Sequence, residues 1–252
     1  MRDLPGVVFA VSLTGLWLAS RAGTWLCHWM GKLDEGDMAD LDVVRTAALT
    51  LLGLVIGFTF SMAISHYDHR KLDEAAEANA IGTEFVRAGL LPPEGARRVR
   101  ELLRTYLQQR VLFYTTWDRS RLRGIEAARG RTQADLWSAV EPYAAAAPTP
   151  ITALVIAGAN DVLNSQAYTQ AAWWDRIPAL AWVLMAAMAV CSSVLAGYTA
   201  RRPEGHARRF FLLPLIVAIS FFLIADIDSP RSGVIRIHPQ NLESAQHLLD
   251  GG

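Results

Sequence analysis

The chain has 252 residues, of which 52% are hydrophobic, with 24 basic against 24 acidic side chains and a mean hydropathy of +0.21. This composition excludes a disordered polyelectrolyte, and zero net charge supplies no long-range field to recruit nucleic acid. The apolar residues gather into windows without a single charge, so the chain reads as an all-α integral membrane protein whose first partner is the lipid bilayer.

Residues 4–20 form the first uncharged window, 17 residues against the ~20 that a helix needs to cross the hydrocarbon. A cleaved signal peptide is the alternative, since Ala19, Ser20 and Ala22 are small residues near a cleavage point. Arg2 is balanced by Asp3, however, and that n-region favours a span.

The second window, residues 46–65, carries Gly53, Gly57, Ser61 and Ser65 every fourth residue on one helical face. Small residues at this spacing let backbones approach, within or between protomers. With Thr46 and Thr50 the same hydroxyls also suit the lining of a hydrated pathway, where weak polar groups let ions enter and leave. Ile56, Phe60 and Ile64 repeat at the same period, as a dewetting constriction or as a lipid-facing or core stripe.

Residues 66–176 make a soluble insert, with 14 of the 24 basic and 13 of the 24 acidic residues. Nothing but Gly82 interrupts the helical pattern between Ser65 and Ala88, so the second span is expected to run on as one helix of roughly 40 residues, able to transmit position from the bilayer to the insert. His66, His69, Asp73 and Glu77 lie on one face of it, spaced for a divalent cation; a solvated helix face is the plainer reading. Val99, Leu102, Leu103, Tyr106, Leu107 and Arg110 repeat at three and four residues. With breaks expected at Pro92-Pro93, across residues 124–131 and at Ala147-Pro148-Thr149-Pro150, the insert should hold three or four helices and no sheet. The apolar run 151–159 is too short to cross a bilayer and is expected to be the buried face of an insert helix. Residues 97–131 carry ten Arg against three acids, and residues 68–84 carry five acids against Arg70 and Lys71. The insert is therefore polarised, toward lipid headgroups, a neighbouring protomer or plain solvent.

Residues 177–200 and 210–225 are the third and fourth spans, 24 and 16 residues long, and residues 226–252 form the tail. Asp226 and Asp228 follow the fourth span, placed either to concentrate cations at a bundle mouth or to pair with Arg231 or Arg236. Cys27 and Cys191 fall in or beside apolar windows and define neither a disulfide framework nor a thiolate metal site. No nucleophile elbow, phosphate-cradling loop or zinc pair is present, so no enzyme and no cofactor is expected.

Gly57-Phe58-Thr59-Phe60-Ser61-Met62-Ala63, Glu77-Ala78-Asn79-Ala80-Ile81-Gly82-Thr83, Arg176-Ile177-Pro178 and Leu223-Ile224-Ala225-Asp226-Ile227-Asp228-Ser229-Pro230-Arg231-Ser232-Gly233, in this order, resemble the bestrophin-like family of bacterial membrane proteins. The resemblance implies distant kinship to bestrophins, which are oligomeric ion channels with four spans per subunit. No dense acidic clasp follows the fourth span, so calcium gating is not implied. The expected function is a homo-oligomeric channel with an inorganic ion as permeant species. A non-conducting sensor or scaffold is the alternative, and a membrane enzyme ranks third. Arg201, Arg202, Arg208 and Arg209 favour a cytoplasmic loop between spans three and four, hence an extracytoplasmic insert on a bacterial inner membrane.

Overall fold

The computed structural model describes residues 4–30, 34–199 and 207–250, and its regular structure there is helical throughout. In chain order it has α1 (Pro5–Met30), α2 (Glu35–Arg87), a 3-10 turn (Ala88–Leu90), α3 (Pro93–Thr115), α4 (Arg119–Ala146), α5 (Pro150–Trp174), α6 (Ala179–Tyr198), α7 (Ala207–Asp228) and α8 (Gln240–Asp250). Four stretches are long and apolar enough to cross a membrane: one each in α1, α2 and α7, and one in residues 150–198, which hold α6. The chain divides into two compact units, Met1–Tyr67 with Arg176–Arg236, and Asp68–Asp175 with Ile237–Gly252.

In the first unit the core gathers Leu16 of α1, Leu52 and Ala63 of α2, Met185 and Ala189 of α6, and Val217, Phe221 and Ile224 of α7. Two glycines set how closely α1 and α6 cross: a Cβ on Gly23 would strike the Val194 carbonyl oxygen, and one on Gly197 would strike that of Ser20. In lipid, where apolar side chains gain little by leaving the solvent, such backbone contact is what holds helices together. Trp25 and Trp29, both exposed, stack with ring planes 4° apart near the end of α1.

In the second unit Pro93 opens α3 at a position where its missing N–H costs nothing. The three-and-four periodicity of α3 holds: Val99, Leu102, Leu103, Tyr106, Leu107 and Arg110 are all buried. Thr149 caps α5 in a capping box with Thr152, and Pro150 follows. Of the run 151–159, Val155 and Ala159 are buried while Ile151 and Leu154 are exposed.

The break expected across residues 124–131 does not exist, because α4 runs through it from Arg119 to Ala146. Gly124 and Gly130 face open space, and one glycine costs a helix only ~1 kcal/mol, which a 28-residue helix absorbs. The break lies just earlier, where Thr116 ends α3 and Asp118 caps α4 by accepting the Ser120 N–H at 2.8 Å. The helix expected to leave the second span is longer than anticipated, 53 residues from Glu35 to Arg87.

Candidate functional site: the two faces of helix α2

In the first unit α2 turns Leu52, Thr59 and Ala63 inward. At ~100° per residue, Thr50, Gly53, Gly57, Ser61 and Ser65 fall on roughly the opposite side, and all five are exposed. A Cβ added at Gly53 or Gly57 would meet nothing. Among the described residues nothing lies against the glycines of this face, and the close helix approach of this unit belongs to Gly23 and Gly197 instead. The Thr50 hydroxyl donates back to the Thr46 carbonyl at 2.9 Å, a local bond that leaves both lone pairs of its oxygen able to accept. Between the two faces runs the apolar stripe. Ile56 packs against the core, while Phe60 and Ile64 remain 36% and 39% exposed. Only 17% of the most apolar 18-residue window of α2 is buried.

Asp226 and Asp228 are not an exposed mouth pair, since both are buried. Asp226 accepts the backbone N–H groups of Val234 and Ile235 at 2.8 to 3.1 Å, closing the turn that follows α7. Gly233, at φ +136°, lies so close that a Cβ would strike the Asp226 carboxylate. Asp228 accepts the Ile177 N–H at 3.1 Å, and His66 Nδ1 stands 3.9 Å from the same carboxylate oxygen.

In the second unit the inward face of α2 changes chemistry. Arg70, Glu74, Glu77, Ile81, Glu84 and, one residue past the helix, Ala88 are all buried. They follow the three-and-four spacing of a core stripe, with charges where hydrocarbon is expected. Each charge has a task, except one. Arg70 donates from Nε to the Ala172 carbonyl at 3.0 Å and from Nη2 to that of Asp175 at 2.8 Å, capping the negative end of α5. Glu74 accepts the N–H groups of Asn241 and Leu242 at 3.0 and 2.9 Å and the Asn241 amide at 2.6 Å, capping the positive end of α8. At the other end of α8, Arg104 donates twice to the Leu249 carbonyl, at 2.7 and 3.0 Å. Glu77 accepts from Nε and Nη2 of a bidentate Arg110, at 2.5 and 2.8 Å, from the Tyr106 hydroxyl at 2.9 Å and from the Thr169 hydroxyl at 3.1 Å. Burial works against the Arg110 charge, but the Glu77 carboxylate outweighs it and holds the guanidinium above its ordinary range. Burial, then the Glu77 charge, likewise push the Tyr106 phenol up. The exception is Glu84, whose two oxygens are buried with no hydrogen-bond partner.

The acids of residues 68–84 and the arginines of residues 97–131 thus meet inside one chain at Glu77 and Arg110. Periodicity reading missed the buried stripe because it scores charges as solvent-facing. The available signal was the unbroken spacing of positions 70, 74, 77, 81, 84 and 88. The four metal candidates are not assembled: Glu77 is engaged by Arg110, and His69 is exposed. Burial raises the Asp73 carboxyl, with the charge of His69 opposing and that of Glu77 adding. Among the described residues no three His, Cys, Asp or Glu are grouped to hold a metal ion. Of the loop arginines, Arg201 and Arg202 lie outside the described residues.

A family model for the bestrophin-like domain matches residues 6–242. Among solved structures, a bacterial bestrophin homologue from Klebsiella pneumoniae is similar at TM-score 0.66 and 10% identity, covering 96% of either chain. A variant of it gives TM-score 0.63 at 11% identity over 97% of each. A structure described as a membrane protein gives TM-score 0.62 at 11% identity, covering 95% of this chain and 97% of the other. No curated protein matches the chain in sequence.

Proposed function

The chain belongs to the bestrophin-like family, and from that premise we propose that it assembles as a homo-oligomeric ion channel in a bacterial cytoplasmic membrane. The observation that carries this reading is the exposed face of α2, where Thr50, Gly53, Gly57, Ser61 and Ser65 lie away from the side that its own unit buries. Lipid is a poor neighbour for a row of hydroxyls and bare glycine backbone. A symmetric ring of copies turning this face to a common axis would give the row water and pass an ion between weak ligands. Phe60 and Ile64, partly exposed at its edge, are the proposed narrow apolar constriction, with Ile56 as their anchor in the core.

The test is current through a planar bilayer. Cys27 and Cys191, the free cysteines, are first replaced, and Gly57→Cys and Ser61→Cys are then exposed to a charged thiol reagent. Block of the current in both variants, and none in the parent, supports the reading. Current that survives modification removes this face from the pathway. No current from an intact oligomer moves the assignment to the second reading, a sensor or scaffold. That reading is favoured by a groove of about 620 Å³ in the second unit, lined by Ala78, Gly82 and Val86 of α2 and Ala245 and Leu248 of α8. A reporter enzyme fused after Arg123 tests the proposed extracytoplasmic insert: activity from a cytoplasm-only reporter overturns it.

A further inference from the structure

Glu84 lies on α2 well beyond the apolar window 46–65, in the second unit, and is fully buried. It packs onto the backbone of α5 at Gly158, where a Cβ would strike its Oε2 and would lie 2.9 Å from Arg87 Nη1. The charged groups around it are Arg87, one turn along its own helix, and Asp161, one turn along α5 from Gly158. These two lean toward each other at 3.8 Å, so the Arg87 guanidinium is shared with an exposed competitor. Among the described residues, neither carboxylate oxygen of Glu84 receives a hydrogen bond. An ionised carboxylate without donors is among the costliest groups to bury, whereas the neutral acid is far cheaper and has a proton of its own to donate.

We infer that Glu84 is a single-proton site: at neutral pH it rests against Gly158 as the neutral acid, and its ionisation loosens the contact between α2 and α5 within the second unit. Burial, opposed by Arg87 and reinforced by Asp161, pushes its carboxyl up to about 8. Once the contact opens, water reaches the group and returns it to the usual carboxylate range. The closed form therefore holds the proton more tightly than the open form. The contact is at full strength in acid, weakens as pH rises out of the carboxylate range, and has nothing further to lose above about 8. Linkage gives the slope: the ratio of open to closed rises about tenfold per pH unit across that window and is flat beyond it. The inference concerns the second unit alone and holds whether or not the protein conducts.

Amide hydrogen exchange on the full-length protein in detergent, corrected for intrinsic rates, reads this ratio in peptides spanning residues 81–88 and 155–162. In the parent it should climb roughly a hundredfold between about pH 6 and 8 and then level off. Glu84→Gln, which has no proton to lose, should give a flat profile. Asp161→Asn alters an exposed side chain and removes the neighbouring negative charge, so the climb should persist but level off at lower pH. A flat parent profile, or a Gln variant that climbs like the parent, overturns the inference. Should the Gln variant fail to assemble, an Asp161→Asn profile superimposable on the parent's does the same.

Discussion

Glu77→Gln is the perturbation that separates a working ionic core from an ornamental one. The carboxylate takes four hydrogen bonds, two from Arg110, one from Tyr106 and one from Thr169. Arg110 is 1% exposed, so losing its counter-charge leaves a cation in the core with water excluded. Removing one partner of a buried pair costs about 3–5 kcal/mol, chiefly the desolvation of the charge left behind. For a chain of this length that lowers Tm by roughly 10 °C. Arg110→Leu should cost a similar amount, by stranding the carboxylate. The double variant removes both charges, returns both desolvation penalties, and keeps an amide oxygen for Tyr106 and Thr169. Its loss should fall short of the sum of the singles by at least ~2 kcal/mol. The assay is thermal unfolding in one detergent at one scan rate, followed by tryptophan fluorescence. Single variants that each cost under ~1 kcal/mol, or a double variant that equals their sum, would refute the reasoning.

Gly57→Leu should leave the melting of a single chain unchanged, because nothing lies within reach of the new side chain, yet reduce oligomer content by native mass analysis more than Ile56→Leu does. Equal oligomer content would show that the copies do not close in on one another at Gly57 around the proposed axis. Gly197→Val should destabilise the first unit by about 1–3 kcal/mol or more, because the added carbons collide with backbone that cannot step aside, and a stability unchanged in thermal unfolding would contradict the α1–α6 crossing. Glu74→Ala should release the start of α8, at a cost of about 1–2 kcal/mol, seen as faster amide exchange at Asn241 and Leu242 with α3 unaffected.

Elements whose physics is local were legible in the sequence. The uncharged windows became α1, the middle of α2, α6 and α7. Proline marked the starts of α3 and α5, and α3 showed its buried face as a run of leucines. Where the deciding partner lies far along the chain, the reading failed. Glu74 looks like a surface acid until the N-terminus of α8, more than 160 residues later, is placed against it. Asp226 looks like an exposed helix end until the chain turns at Gly233 and brings two amides back. The glycines show the same limit from the other direction. Gly53 and Gly57 carry the conspicuous repeat, and a Cβ on either would meet nothing among the described residues, whereas Gly23 and Gly197, 174 positions apart, bring their helices' backbones together at Val194 and Ser20.

The clamping of α8 has a consequence for the order in which the protein is completed. Its two ends are fixed by Glu74 and Arg104, both made early, while α8 itself leaves the ribosome after α6 and α7. Until then Glu74 has no amides to accept, and the places of Leu242 and Leu249 in the second unit stand empty. During synthesis the second unit must wait, with an acid and an apolar patch uncovered, for α6 and α7 to be translated. A chain arrested inside α7 would leave that patch uncovered, while a finished chain would hide it, so the second unit closes only after α6 and α7 have been made.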